Sequence, residues 1–500
     1  MLYTDKSKSL MDFMTEHKAL ERVSFHMPGH KGKDFFEANG YGEQIENLVN
    51  GDITEIHGAD NLFMPEGVLR NLMNRYKTIY GVKEAFLLVG GSSAGIIATI
   101  LSLISKNETL IMASNCHKSV YNAVLLSGGR ASFVTPEVIS GFGIAGEVKA
   151  ESVKRAMDAN PHAKAVLITS PNYYGVCSDI KAIAETVHSQ GKILIVDEAH
   201  GAHLKLMDCL GQNCSGIHLA AESAGADVVI TSTHKTMASF TQTALALVCS
   251  DRVSADSIAD KLQMIESSSP SYILMKSLEI NAELMEKKSE QLIKNWSDDI
   301  EYVYGELKKI KGLDFFDYGL HDRTKLVMSF SRLGVSGYKL DELLRDRGIF
   351  VELADMKSVV AMSGIGNRRC DYEALISALS EISGKMLKSQ DSKMTCNNDA
   401  ADMFLSCVYE PGGNIAGISS KELYSHKEIT DIPREVRRIA LAESANKVSS
   451  RALIPYPPGI PVIVPGECIS ELKVKYLSEL REKGVTVIGV DESGTIMCGD

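Results

Sequence analysis

The sequence predicts an α/β protein: a large domain built on a mostly parallel seven-stranded sheet, then a small α+β domain and a C-terminal α+β domain. Three observations predict it. Short apolar runs at 84–89, 109–113, 131–134, 164–169, 192–197, 227–231 and 243–249 alternate with helical patterns, which implies right-handed crossovers and helices on both faces of the sheet. From about Lys325 the pattern becomes strand 325–330, helix 337–347, strands 349–353 and 358–362, and helix 371–386. After a polar, unpatterned stretch from Lys388 to Asn398, read as a linker, about a hundred residues holding a Pro-rich segment remain. The divisions that follow are an N-terminal segment 1–60, a large domain 61–320, a small domain 321–387 and a C-terminal domain 400–500. No internal repeat is visible.

Each chemistry-bearing element sits at a junction of this pattern. Phe86 to Val89 runs into Gly90-Gly91-Ser92-Ser93-Ala94-Gly95 and a helical run to Ile104. A strand, a glycine–serine turn and a helix N-terminus can cradle a phosphate, since backbone N–H groups there face an anion. The glycine spacing fits neither a Walker A loop nor a dinucleotide fingerprint, and an ordinary βα turn also carries Gly and Ser. Thr109 to Ala113 leads to Cys116-His117-Lys118-Ser119, placing His117 at a second junction, as a solvated loop residue or as an imidazole stacked on a cofactor ring.

The segment Lys192 to Val196 ends in Asp197-Glu198-Ala199-His200-Gly201. An acid at the C-terminal tip of a buried strand lies where ligands of open α/β sheets gather. It suits a metal, a helix cap, or the ring nitrogen of pyridoxal phosphate, whose protonated ring is an electron sink. Ala199 is small enough to lie against such a ring. The apolar run Val228-Val229-Ile230 then reaches Ser232-Thr233-His234-Lys235-Thr236. A lysine just past a buried strand is a solvated loop residue or, when desolvated, the amine that holds an aldehyde cofactor as a Schiff base.

Taken together these elements resemble the aspartate-aminotransferase superfamily of pyridoxal-phosphate enzymes (fold type I), and within it the Orn/Lys/Arg decarboxylase family. His26-Met27-Pro28-Gly29-His30-Lys31-Gly32 is similar to that family's N-terminal signature, Ser170-Pro171-Asn172-Tyr173-Tyr174-Gly175 to its "NPTYYG" segment, and Ser268-Ser269-Pro270-Ser271-Tyr272 to its "TTSPSY" segment. Tyr456-Pro457-Pro458-Gly459-Ile460-Pro461, ending at Pro465-Gly466-Glu467, resembles the hallmark of its C-terminal domain. The chain departs from the family pattern in two places. His200 stands where the large members carry tryptophan, and Asn446-Lys447 stands for the family's usual Gly-Arg pair ahead of the Pro-rich segment. With the signature already at His26, the chain looks like the short Gram-positive type without a leading wing domain.

The resemblance implies that Lys235 carries pyridoxal 5'-phosphate, Asp197 holds the ring nitrogen, and His117 stacks on the face opposite Ala199, with His200 also at the cofactor. It implies that Ser92, Ser93, Ser232 and His234 meet the phosphate, with Ser268 contributed by a partner subunit, so that a homodimer shares its active sites. Lys235 or His234 is the expected proton donor. The implied reaction is decarboxylation of a basic amino acid, arginine to agmatine first, then lysine to cadaverine or ornithine to putrescine, in polyamine metabolism. Asp52, Glu55, Glu443 and Glu467 are the acids weighed for the distal cation. An aminotransferase or another lyase on the same fold, and a non-catalytic paralogue, are the alternatives.

Composition agrees. Five hundred residues exceed one hydrophobic core. A net charge of -11 disfavours nucleic acid or an anionic membrane as the partner. Ten scattered cysteines with no C-x-x-C pair suit reduced thiols in the cytoplasm and no metal site. No apolar run approaches the ~20 residues of a membrane helix.

Overall fold

A computed structural model describes residues 9–19, 22–139, 141–211, 218–388, 433, 435–456, 459–482 and 484–499. The expected linker beyond Lys388, and Pro457 and Pro458 of the C-terminal hallmark, lie outside the described residues.

The large sheet has seven strands: β1 Glu84–Leu88, β2 Thr109–Ala113, β3 Arg130–Val134, β4 Ala165–Thr169, β5 Ile193–Asp197, β6 Val228–Thr231 and β7 Ala244–Val248. Their order across the sheet is β1-β7-β6-β5-β4-β2-β3. Only β7 runs against its neighbours, pairing antiparallel with both β1 and β6. The central strands are apolar up to their last residues, Thr169, Asp197 and Thr231, because both faces are covered. The helix Gly91–Leu103 lies close on this sheet. A Cβ added at Gly95 would come within 2.6 Å of Leu88 Cδ1, so glycine permits that approach. Helix Ile180–Ser189 is capped by Asp179, whose carboxylate accepts from the Ala182 N–H at 3.0 Å.

A 36-residue helix, Tyr272–Leu307, capped by the Ser271 hydroxyl, leads out of the large domain. The small domain that follows pairs Asp314–Phe315, Lys325–Ser329, Val359–Met362 and Leu353–Ala354 in one antiparallel sheet, backed by helices Gly337–Arg345 and Arg369–Lys388. The stretch expected as one strand, 349–353, is divided. Ile349–Val351 pairs in parallel with Val23–Phe25 near the N-terminus, and Leu353–Ala354 joins the four-stranded sheet. A three-residue partner strand is too short to announce itself in sequence, which is why the split was not legible.

The C-terminal part has its own core of Leu453, Ile463, Ile469, Leu477 and Cys498, beneath helix Glu471–Glu482. Ala145 and Met356 join that cluster, so it packs on both other domains. Seven cysteines among the described residues are free. No helix among the described residues is long and apolar enough to cross a membrane, and none of their His, Cys, Asp and Glu form a metal-binding group.

Candidate active site

β5 and β6 are parallel neighbours, so Asp197 and the Ser232–Thr236 turn emerge side by side at one edge of the sheet. Asp197 is 2 % exposed, and its Oδ1 accepts the Ala199 N–H at 3.1 Å. Burial raises its pKa, while Lys235 and that N–H draw it back down. Lys235 is half-buried, with its Nζ 3.0 Å from His200 Nε2. Burial lowers the Lys235 pKa; Asp197 and Glu352 oppose the shift and Lys325 adds to it. The His200 ring is buried and held well below its ordinary pKa by burial and by Lys235, so it meets the amine as neutral imidazole.

His117 caps helix Lys118–Ser127, its Nδ1 accepting from the Ser119 N–H at 3.3 Å. Burial, with Lys235 and Lys118 adding charge, lowers its pKa to about 4. His234 is likewise lowered to about 4, chiefly by burial, and donates from Nδ1 to the Thr243 carbonyl at 2.7 Å. The N-terminal signature locks this turn in place. The Gly29 N–H donates to the His234 carbonyl at 2.8 Å, and the Gly29 carbonyl accepts from Gly366 of the small domain at 3.0 Å. A Cβ on Gly29 would lie 2.4 Å from the Met237 carbonyl oxygen, so only glycine fits there.

The residues fit an aldehyde cofactor with a phosphate tail. Ser232 is fully buried and its hydroxyl has no partner among the described residues, an orphan that a ligand oxygen would satisfy. Ser92 and Ser93 open the first turn of the helix that follows β1, where backbone N–H groups lack intrahelical acceptors. Glu266 already takes the Val89 and Gly90 N–H groups, at 3.2 and 3.0 Å, one turn earlier. Ala199 is buried beside Asp197, and Gly459 of the C-terminal part lies against His117, its carbonyl accepting the Lys118 N–H at 3.3 Å.

Other expected residues lie elsewhere on this chain. Ser268 is exposed on the loop before the long helix, and Asp52, Glu55 and Glu443 are exposed. Glu467 pairs with Lys473 and accepts the Val464 N–H inside the C-terminal part. The acid beside Lys235 is one the sequence reading did not name. Glu352, half-buried between the two pieces of the divided strand, accepts from the Tyr173 hydroxyl at 2.9 Å and from the Met27 N–H at 3.0 Å. It makes no ion pair with any described residue, and desolvation raises its pKa. Nothing in the run Ile349 to Leu353 marks it, because only the parallel pairing with Val23–Phe25 brings it to the site. The Tyr173 ring packs against His200, centroids 4.7 Å apart.

The family comparison decides what this arrangement belongs to. Residues 8–323 match the Orn/Lys/Arg decarboxylase major domain and residues 424–492 match that family's C-terminal domain. The chain belongs to the Orn/Lys/Arg decarboxylase family. It is 30 % identical over 498 residues to the arginine decarboxylase of Halalkalibacterium halodurans, covering 97 % of this chain and 95 % of the relative. It is 28 % identical over 490 residues to the arginine decarboxylase of Bacillus subtilis, covering 96 % of this chain and 95 % of the relative. Among solved structures it resembles lysine decarboxylase A from Pseudomonas aeruginosa at a TM-score of 0.72 and 19 % identity, over 98 % of this chain and 80 % of that one. The family member thus has the mostly parallel α/β sheet that the alternation of strands and helices predicted, in the fold type I architecture that the resemblance implied.

A second cluster of acids lies behind Asp197. Glu198 is 1 % exposed; its Oε2 accepts the Ala221 N–H at 2.7 Å. Its Oε1 and both carboxyl oxygens of Glu222 have no hydrogen-bond partner on another described residue. Burial raises both pKa values, Glu222 to about 7, with Glu222 adding repulsion at Glu198. A carboxyl whose folded pKa lies above its unfolded value holds extra protons in the native state, so stability falls as pH rises through that window. Thermal melts should therefore drop from mildly acidic pH toward pH 7 and above, and Glu222→Gln should flatten the decline. A Glu222→Gln protein with an unchanged pH profile of melting would contradict this assignment.

Proposed function

We propose that this chain is a pyridoxal-phosphate-dependent decarboxylase of a basic amino acid, with arginine first, lysine second and ornithine third. The observation that carries the reading is the Lys235–His200–Asp197 centre at the sheet edge, in a chain that matches both family domains along its length. In this reading the large domain spans 61–320, the small domain 321–387 and the decarboxylase C-terminal domain 400–500, and two copies share active sites in the cytoplasm.

When bound, the cofactor supplies a protonated pyridine ring as the sink for electrons left by departing CO₂. The chain's own residues do the rest. Lys235 tethers the cofactor through its amine, and its partial neutralisation by burial makes that amine a nucleophile. Asp197 would hold the ring nitrogen with its buried carboxylate, and His117 and Ala199 would pack on the ring. Ser92, Ser93, Ser232 and His234, with Ser268 of the partner subunit, would hold the phosphate. Lys235 Nζ, relayed by His200, returns a proton to the substrate Cα. His234 is the weaker donor, because its Nδ1 is committed to the Thr243 carbonyl.

Asp52, Glu55, Glu443 and Glu467 were the acids proposed for the distal cation, and Glu352 joins them as the acid beside Lys235. A carboxylate that gains a guanidinium or ammonium from the substrate is satisfied by it and loses that partner when the side chain is neutral. Assaying CO₂ release from arginine, lysine, ornithine and norleucine in parallel tests this. Norleucine should be poorer than the best basic substrate by about a thousandfold in kcat/KM, and Glu352→Gln should narrow that gap. Equal turnover of norleucine would sink the basic-substrate reading. Release of a keto acid in place of CO₂ would favour an aminotransferase.

A further inference from the structure

Beneath the cofactor lysine lies a buried ion pair that the chemistry above does not use. Lys325 is 0 % exposed and Asp322 2 %, and their Nζ and Oδ2 are 3.1 Å apart. Both belong to the edge of the small domain, Lys325 opening the strand Lys325–Ser329. Charges taken this far from water are costly to hold. Two arms leave the pair, one ending at the Lys235 amine and the other at Thr236, the next residue in the chain. In one, Lys325 Nζ donates to the His200 carbonyl at 3.4 Å, and it is the His200 ring that touches Lys235 Nζ. In the other, Asp322 Oδ1 accepts from His203 Nε2 at 3.0 Å, which leaves His203 Nδ1 to accept the Thr236 hydroxyl at 3.1 Å, one residue past Lys235. Trp296 packs on the His203 ring at 5.1 Å and donates to Ser363 of the small domain at 2.6 Å, closing the second arm.

We propose that the Lys325–Asp322 pair is a positioning unit, carried by the small domain, that grips His200, which touches the Lys235 amine, and Thr236, the next residue in the chain, and makes the reactivity of that amine depend on how the small domain is seated. The proposal rests on Lys235 being the cofactor lysine. The charges facing that amine are Asp197, Glu352 and Lys325, with the neutral rings of His200 and His117 beside it. Lys325 alone among those charges favours the neutral amine. Asp322 in turn is held well below the ordinary carboxylate range by Lys325 and His203, against the raising effect of burial, so it stays charged and fixes Lys325.

The test reads Lys235 directly. Full-length protein freed of cofactor is reductively methylated with formaldehyde from neutral to alkaline pH, and the peptide bearing Lys235 is quantified by mass spectrometry. Lys325→Met should move the midpoint of the Lys235 profile upward by about one unit, slowing labelling about tenfold on its acidic side. Asp322→Asn should move it downward, and Lys325→Arg should leave it near wild type. Loosened packing alone would speed labelling in both charge-removing variants without moving the midpoint. Unmoved midpoints, or shifts of the same sign in Lys325→Met and Asp322→Asn, would overturn the proposal. Should Lys325→Met fail to fold, the opposed behaviour of Asp322→Asn and Lys325→Arg decides the same point. Borohydride reduction of the loaded enzyme, read separately, tells failure of the cofactor assignment from failure of this inference.

Discussion

A Lys235→Ala protein is expected to lose the visible band of the lysine-bound cofactor and at least about a thousandfold in turnover. Two losses combine. The proposed tether of the cofactor disappears, and so does the proposed proton donor to Cα, a role worth roughly 10²–10⁴ by itself. The geometry gives no substitute close by: His200, the neighbour at 3.0 Å, cannot form the tether and is held neutral by burial. Borohydride reduction of the wild-type enzyme followed by peptide mapping should place the cofactor on Lys235. Of the other desolvated lysines near the site, Lys325 is committed to Asp322, Thr324 and the His200 carbonyl, and Lys31 donates to the His26 carbonyl at 2.6 Å. Recovery of the label on a different lysine, or a Lys235→Ala protein that keeps its band and full turnover, would remove Lys235 from the centre of the mechanism.

What could be read from sequence was what local pattern encodes. All seven strands of the large sheet came from short apolar runs, because a strand covered on both faces must be apolar throughout. Asp197 and Lys235 were legible as candidates because Asp197 ends such a run and Lys235 sits in the turn just past another, at the edge where the fold collects ligands. Residues brought in by long-range pairing were not. Glu352 reaches the site only through the pairing of Ile349–Val351 with Val23–Phe25, more than three hundred positions away. Lys325 and Asp322 read as ordinary charges at the start of a strand, and nothing local says that both are sealed from water. The N-terminal signature was noticed as a motif, but its purpose needed contacts: Gly29 fastens the Lys235 turn to Gly366 across the domain boundary. Tyr173 and Tyr174 are a parallel case. The first holds Glu352, and the second donates to Asp355 at 3.0 Å, so the pair bridges the large and small domains.

Asp197→Asn should leave the fold intact and cut kcat by about 10²–10³, the scale of losing one preorganised electrostatic contact at a reacting centre. The amide has nearly the carboxylate's shape and keeps an oxygen for the Ala199 N–H, now 3.1 Å from Oδ1. What it lacks is charge. At a position 2 % exposed, a carboxylate against a protonated ring nitrogen forms a charge-assisted hydrogen bond that no neutral group reproduces, and the electron sink weakens with it. The apoprotein should respond differently. Burial already penalises the charged form of Asp197, so the neutral amide should hold or raise the melting temperature while activity falls. Loss of the charge should also lower the Lys235 pKa, because Asp197 is the largest influence opposing burial there. An electrostatic role thus predicts lower kcat, unchanged or higher Tm, and a Lys235 labelling midpoint moved to lower pH. Near-wild-type turnover with cofactor bound would show that another group holds the ring nitrogen, and a large fall in Tm would show that Asp197 serves the fold.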